Sequence, residues 1–192
     1  LYPQRGNFVL GSVGANASRY YVGPANTLSY ATLVWNRAIF GTSSAFTDLD
    51  LRLFSRSTGA QINTSTTADN NVEKVSASIT GQVVVKVTNF WTPFTGAEPF
   101  AVAFSEPGFQ AVTPPSLSWL CSTPPSVVGA NASFDISCTV TNRGDLDAFN
   151  GVLNVGTIAL PFGTIAAGTS VSRTWTGLAP AQAGSYTITL QF

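Results

Sequence analysis

An all-β chain, an eight-stranded jelly-roll-like sandwich followed by a smaller immunoglobulin-like sandwich, is predicted by three features of the sequence. Apolar residues recur at every second position in short runs. In Asp48 to Phe54, Leu49, Leu51 and Leu53 fall on one face of a pleat, with Asp48, Asp50 and Arg52 on the other. Gly, Asn, Asp and Pro separate these runs, and no segment has helical periodicity. From Glu106 to Ser118 the alternation stops and Pro107, Gly108, Pro114 and Pro115 appear, the composition of an inter-domain connection.

The first sandwich is assigned to residues 1–108. Its strands are Asn7 to Val13, Ser18 to Val22, Leu28 to Asn36, Asp48 to Phe54, Ala60 to Thr64, Val72 to Ile79, Val83 to Phe90 and Glu98 to Phe104. Gln82 to Thr88 repeats the pattern of Asp48 to Phe54, with Val83, Val85 and Val87 opposed by Val84 and Lys86. Eight short antiparallel strands suit a jelly roll. Residues 109–116 read as a linker, semi-rigid because paired prolines favour extended geometry. Residues 117–192 supply the second sandwich through Leu117 to Cys121, Ser133 to Asn142, Gly151 to Val155, Thr157 to Pro161, Ser170 to Thr176 and Gly184 to Phe192. So small a sandwich gains from a covalent staple, and Cys121 with Cys138 would supply one as a disulfide; two buried free thiols are the alternative.

Composition narrows the class of protein. Hydrophobic residues make up 44% of the 192, ample for folded cores, whereas charged residues make up only 9%, so Ser, Thr, Asn and Gly must fill the surface. Nine basic residues balance nine acidic ones with no Lys/Arg run, which disfavours nucleic acid and anionic membranes as partners. No apolar run reaches the length of a membrane-spanning helix. The chain opens at Leu1 and holds no methionine, as a processed or excised segment would. Scarce Lys and Glu, abundant Ser and Thr, and one cysteine pair in a β-rich context point to an extracellular, secreted or cell-surface protein.

Five motifs occur in order along the first sandwich: ATLVWNR from Ala31 to Arg37, DLDLRLF from Asp48, DNNVEKV from Asp69, GQVVVKV from Gly81 and EPFAVAFS from Glu98 to Ser105. Together they resemble the β-sandwich that follows the catalytic domain in many secreted subtilisin-like serine proteases. The second segment, with TVTNRG at Thr139 to Gly144, IAAGTS at Ile165 to Ser170 and AGSYTITL at Ala183 to Leu190, looks like bacterial immunoglobulin-like adhesion or spacer modules. The resemblance implies a non-catalytic accessory region whose first partner is an upstream catalytic domain of the same chain. It would stabilise or space that domain, or help to capture protein substrate.

The residues agree with a non-catalytic role. A subtilisin-type triad needs a histidine base, and the chain has no histidine; with only two cysteines it also lacks the usual zinc ligand sets. No cofactor is required on this reading. Calcium, which takes six to eight oxygens, is the one metal the acids suggest: Asp69, Asn70, Asn71 and Glu73 flank a turn, with Asp48 and Asp50 as further ligands. The competing reading makes the Asx residues turn-formers and the acids a wet sheet face. Phe90, Trp91 and Phe94 crowd a loop before the last strand, where exposed rings could stack on glycan or polypeptide, the mark of an adhesion or carbohydrate-binding module. Their alternative use is to close the end of the sandwich or to pack against a neighbouring domain. Arg143, Gly144 and Asp145 spell an integrin-type tripeptide but read more simply as an Asn-x-Gly turn.

Overall fold

The computed structural model describes residues 7–26, 29–40, 43–93, 96–122, 128–155, 158–179 and 190–191. The fold is all-β and divides into two compact units, Leu1–Thr113 and Pro114–Phe192.

The first unit contains β1 (Phe8–Val13), β2 (Ser18–Ala25), β3 (Ser29–Trp35), β4 (Arg37–Phe40), β5 (Ser43–Phe46), β6 (Asp48–Ser55), β7 (Gln61–Ser65), β8 (Val72–Ala77), β9 (Gly81–Trp91), β10 (Glu98–Phe104) and β11 (Gln110–Val112). Leaving aside β4, β5 and β11, eight strands pair first with last, second with seventh, third with sixth and fourth with fifth. These pairs are β1 with β10, β2 with β9, β3 with β8 and β6 with β7, all antiparallel. That nesting is one long hairpin folded over itself, the jelly-roll arrangement. It yields two sheets, ordered β1-β10-β3-β8 and β11-β2-β9-β6-β7. All eight runs of alternating sequence lie within or beside these strands, because alternation is what a pleat with one buried face requires.

Side chains from both sheets meet in one core: Leu33 and Trp35 of β3, Leu49, Leu51 and Leu53 of β6, Val83, Val85 and Val87 of β9, and Phe100, Val102 and Phe104 of β10. Two features differ from the sequence expectation. Arg37–Phe40 and Ser43–Phe46 pair as a hairpin inserted between β3 and β6. Residues 110–112, read as linker, pair with β2 at the edge of the second sheet. Packing explains this extension. Phe109 stacks on Phe104 with ring centroids 3.8 Å apart, and it lies over Gly23, where any β-carbon would collide with its ring. Gly23 thus makes the space that holds the chain on the sandwich for a few residues beyond the last alternating run.

The second unit contains β12 (Leu117–Cys121), β13 (Ser133–Asn142), β14 (Ala148–Val155), β15 (Ile158–Ile165), β16 (Ser170–Leu178) and β17 (Leu190–Gln191). One sheet is ordered β12-β13-β16 and the other β15-β14-β17, the A-B-E and C′-C-F orders of an immunoglobulin-like sandwich. Of the sequence run Gly184 to Phe192, only residues 190–191 lie within the described residues. Ile136, Cys138 and Val140 pack against Ala148, Leu153, Phe162 and Ile165, with Trp175 meeting Phe134 edge-on at 5.6 Å. On its outer face, the first of these sheets carries a ladder of hydroxyl pairs: Ser137 with Thr174, Thr139 with Ser172 and Thr141 with Ser170, at 2.7–2.8 Å.

Cys121 and Cys138 form a disulfide. They sit directly opposite each other on adjacent strands of one sheet, with Cα atoms 4.0 Å apart, the closer, non-hydrogen-bonded kind of antiparallel pair. The staple therefore ties edge strand β12 to β13 and does not bridge the two sheets.

Candidate functional site

The acids singled out by sequence lie around β6 and the connection from β7 to β8. On β8, Val75 and Ala77 point into the core and Glu73 points the same way, leaving it 1% exposed. A buried carboxylate needs donors. Glu73 has two: the Ser65 hydroxyl donates to Oε2, and the Thr67 N–H donates to Oε1 at 2.8 Å. Burial nonetheless pushes its pKa up, the Thr67 hydrogen bonds oppose that shift, and the charges of Asp50 and Asp48 add to it.

Asp50 does not lie on a wet face, and Asp48 is half-buried. Asp50 is buried on the outer side of β6, because Arg52 lies along that surface with its guanidinium 2.9 Å from Asp50 Oδ2 and 5.3 Å above the Phe90 ring. Burial raises the Asp50 pKa, Arg52 counteracts, and Asp48 raises it further. The Oδ1 atom of Asp48 is buried with no hydrogen-bond partner among the described residues.

Asp69, Asn70 and Asn71 do turn and edge work. Asn70 Oδ1 accepts the Val72 N–H at 3.1 Å, and Asn71 Nδ2 donates to the Trp35 carbonyl at 2.9 Å, while Asp69 is exposed. Asp48, Asp50 and Glu73 thus share an electrostatic field. Among the described residues, however, no three acidic, cysteine or histidine side chains gather closely enough to hold a metal ion.

Sequence reasoning missed a second polar cluster nearby. Trp35 Nε1 donates to the Thr47 carbonyl at 2.7 Å, and the Thr47 hydroxyl donates to Glu98 Oε2 at 2.6 Å, all three residues being buried. Asn89, fully buried, donates to the Val13 carbonyl at 3.2 Å. The only hint in the sequence was a glutamate and an asparagine in phase with inward-facing valines and phenylalanines.

Phe90 and Trp91 end β9 with 48% and 58% of their surface exposed. Phe94 lies outside the described residues. Both rings thus stand clear of the described core. The Arg143-Gly144-Asp145 tripeptide is held tightly: the Arg143 N–H donates to the Ser116 carbonyl, the Gly144 N–H donates to Asn142 Oδ1, and a β-carbon on buried Gly144 would collide with Pro114. The glycine is there for close backbone approach.

Among the described residues, no helix is long and apolar enough to cross a membrane. No protein-family model matches the chain, and no curated protein matches it either.

Proposed function

We propose that this chain is a non-catalytic accessory region of a secreted subtilisin-like serine peptidase, stabilising or spacing the catalytic domain or helping it to capture protein substrate. The observation that carries the reading is the order of the five motifs. ATLVWNR supplies β3, DLDLRLF β6, DNNVEKV β8, GQVVVKV β9 and EPFAVAFS β10, so the resemblance runs through five strands of one sandwich and not through a single loop. The missing histidine, which removes the triad from this chain, and the Cys121–Cys138 disulfide, which suits an oxidising compartment, support the same reading.

Two experiments test it. The sequence encoded before Leu1 is expected to contain the histidine and serine segments of a subtilisin-type triad; a parent without them would overturn the assignment. The purified chain is expected to lack peptidase activity, and turnover of a fluorogenic casein that persists through chromatography would remove the non-catalytic claim.

The exposure of Phe90 and Trp91, with the Arg52 guanidinium over Phe90, favours one second reading, an adhesion or carbohydrate-binding module in which rings stack on sugar. Glycan-array binding that disappears in Trp91→Ala would put this reading ahead; no binding to any sugar would retire it.

A further inference from the structure

A sheet edge exposes a row of main-chain N–H and C=O groups that can template another strand, and folded proteins usually blunt such edges. Side chains cover several outward groups on one edge here and a single group on each of two others. On β1, where even-numbered residues face away from β10, Arg19 Nε donates to the Ser12 carbonyl at 2.9 Å. On β8, whose even-numbered residues face away from β3, Asn70 accepts the Val72 N–H, Ser65 Oγ accepts the Lys74 N–H and Asn63 Nδ2 donates to the Ser76 carbonyl. On β16, Arg173 turns back to donate to the Ser172 carbonyl at 3.1 Å.

Among the described residues, edge strand β12 has no such cover. Ser116 and Ser122 are bonded to Arg143 and Ser137 in register with the β12–β13 ladder, so the even-numbered residues bond to β13. The N–H and C=O groups of Leu117, Trp119 and Cys121 therefore face away from the sheet, and no described residue pairs with them. Charge does not guard them either, since no charged residue occurs between Glu106 and Asp135. Leu117, Trp119 and Leu120 are all exposed, Leu120 by 77%.

We propose that β12 pairs antiparallel with β12 of a second copy of this chain, about a two-fold axis at Trp119. The edge is self-complementary. Trp119 would exchange both main-chain bonds with the partner's Trp119, and Leu117 would do so with the partner's Cys121, twice over. Three such pairs give about six hydrogen bonds. Leu120 would lie beside the partner's Ser118 and lose much of its exposure. The strand itself carries no charge to repel the second copy, which separates this edge from β16 and its Arg173. The two-fold uses the same edge on both copies, so growth closes at a dimer and joins the two three-stranded sheets into one.

Light scattering on the whole chain, over about two decades of concentration in the micromolar range, tests the proposal. The mass is expected to climb from the 20.1 kDa chain towards twice that value. Trp119→Pro removes the outward N–H together with the indole, and Leu120→Lys places a charge beside the seam; each is expected to hold the protein at the monomer mass at the highest concentration. If Trp119→Pro does not fold, Leu120→Lys still decides. A wild type that stays monomeric throughout overturns the proposal, including one that binds a synthetic peptide copying Ser116 to Ser122 with serine in place of cysteine. So does a dimer that survives both substitutions, or growth beyond the dimer.

Discussion

In the first sandwich the buried polar side chains include three acids, Asp50, Glu73 and Glu98, each with at least one donor. In the second, the buried polar side chain among the described residues is the neutral amide of Asn142, and it is saturated. Its Nδ2 donates to the Leu146 and Ile165 carbonyls at 2.8 and 3.1 Å, and its Oδ1 accepts the Ser116 and Gly144 N–H groups at 3.1 and 3.0 Å. An amide with two donors and two acceptor sites can be fully satisfied without any dependence on pH, whereas a buried carboxylate cannot. The first unit should therefore respond to protons. The second should respond to reduction and to loss of one residue.

The largest effect is expected from Asn142→Ala, which would orphan two N–H groups and two carbonyls at once. Each buried unpaired group costs on the order of 1–3 kcal/mol, so roughly 4 kcal/mol should be lost even if water repairs some of them. Hydrogen exchange resolved by segment should show protection falling in residues 114–179 and holding in β1 to β10. Protection lost equally in both units would mean that the two sandwiches do not unfold separately.

Reducing Cys121–Cys138 comes next. A loop closed across 17 residues is worth about 3 kcal/mol on the chain-entropy model. Because the bond ties an edge strand to its neighbour, exchange should accelerate in β12 before it does in β14 and β15. A uniform change across the second unit would show that the staple holds the whole sandwich.

The strands of both units were legible because their inward faces are strict: Leu49, Leu51 and Leu53, or Val83, Val85 and Val87, leave no second register. The β4–β5 hairpin was not, since its sequence does not alternate, and β11 was hidden by the prolines around it. The acids were legible as a group but misread in depth. Alternation correctly puts Asp50 opposite the core, but it cannot show that Arg52 and Phe90 cover that outer face. Asn142 looked like part of a turn. Its role depends on Ile165, which comes near only after the fold has formed.

The proton response of the first unit is the third test. Burial raises the pKa values of Asp50 and Glu73, so between the ordinary carboxylate value and the raised one the folded state holds protons that the unfolded chain releases. The sign follows from linkage. The contribution of these groups is complete below the unfolded pKa and is lost as pH rises through the folded one. Urea midpoints for the first unit should fall over that window, and Glu73→Gln should flatten the fall. A midpoint that rises with pH there would mean that the Ser65, Thr67 and Arg52 contacts outweigh burial.

Calcium should have the smallest effect. A cation that binds only the folded state must raise the melting temperature by mass action, and the acids would have to be free to converge on it. They are engaged elsewhere: Asp50 with Arg52, Glu73 with Ser65 and Thr67, Asn70 with the Val72 N–H and Asn71 with the Trp35 carbonyl. Swapping excess calcium for chelator should thus move the melting temperature of the first unit by less than about 2 °C, the scale of a few tenths of a kcal/mol. Asp48 is the residue to watch, because its buried Oδ1 lacks a partner. If calcium raises the melting temperature by more than that and Asp48→Asn abolishes the rise, the acids rearrange around the ion. The contrast between the sandwiches would then be between a metal-dependent unit and a disulfide-dependent one.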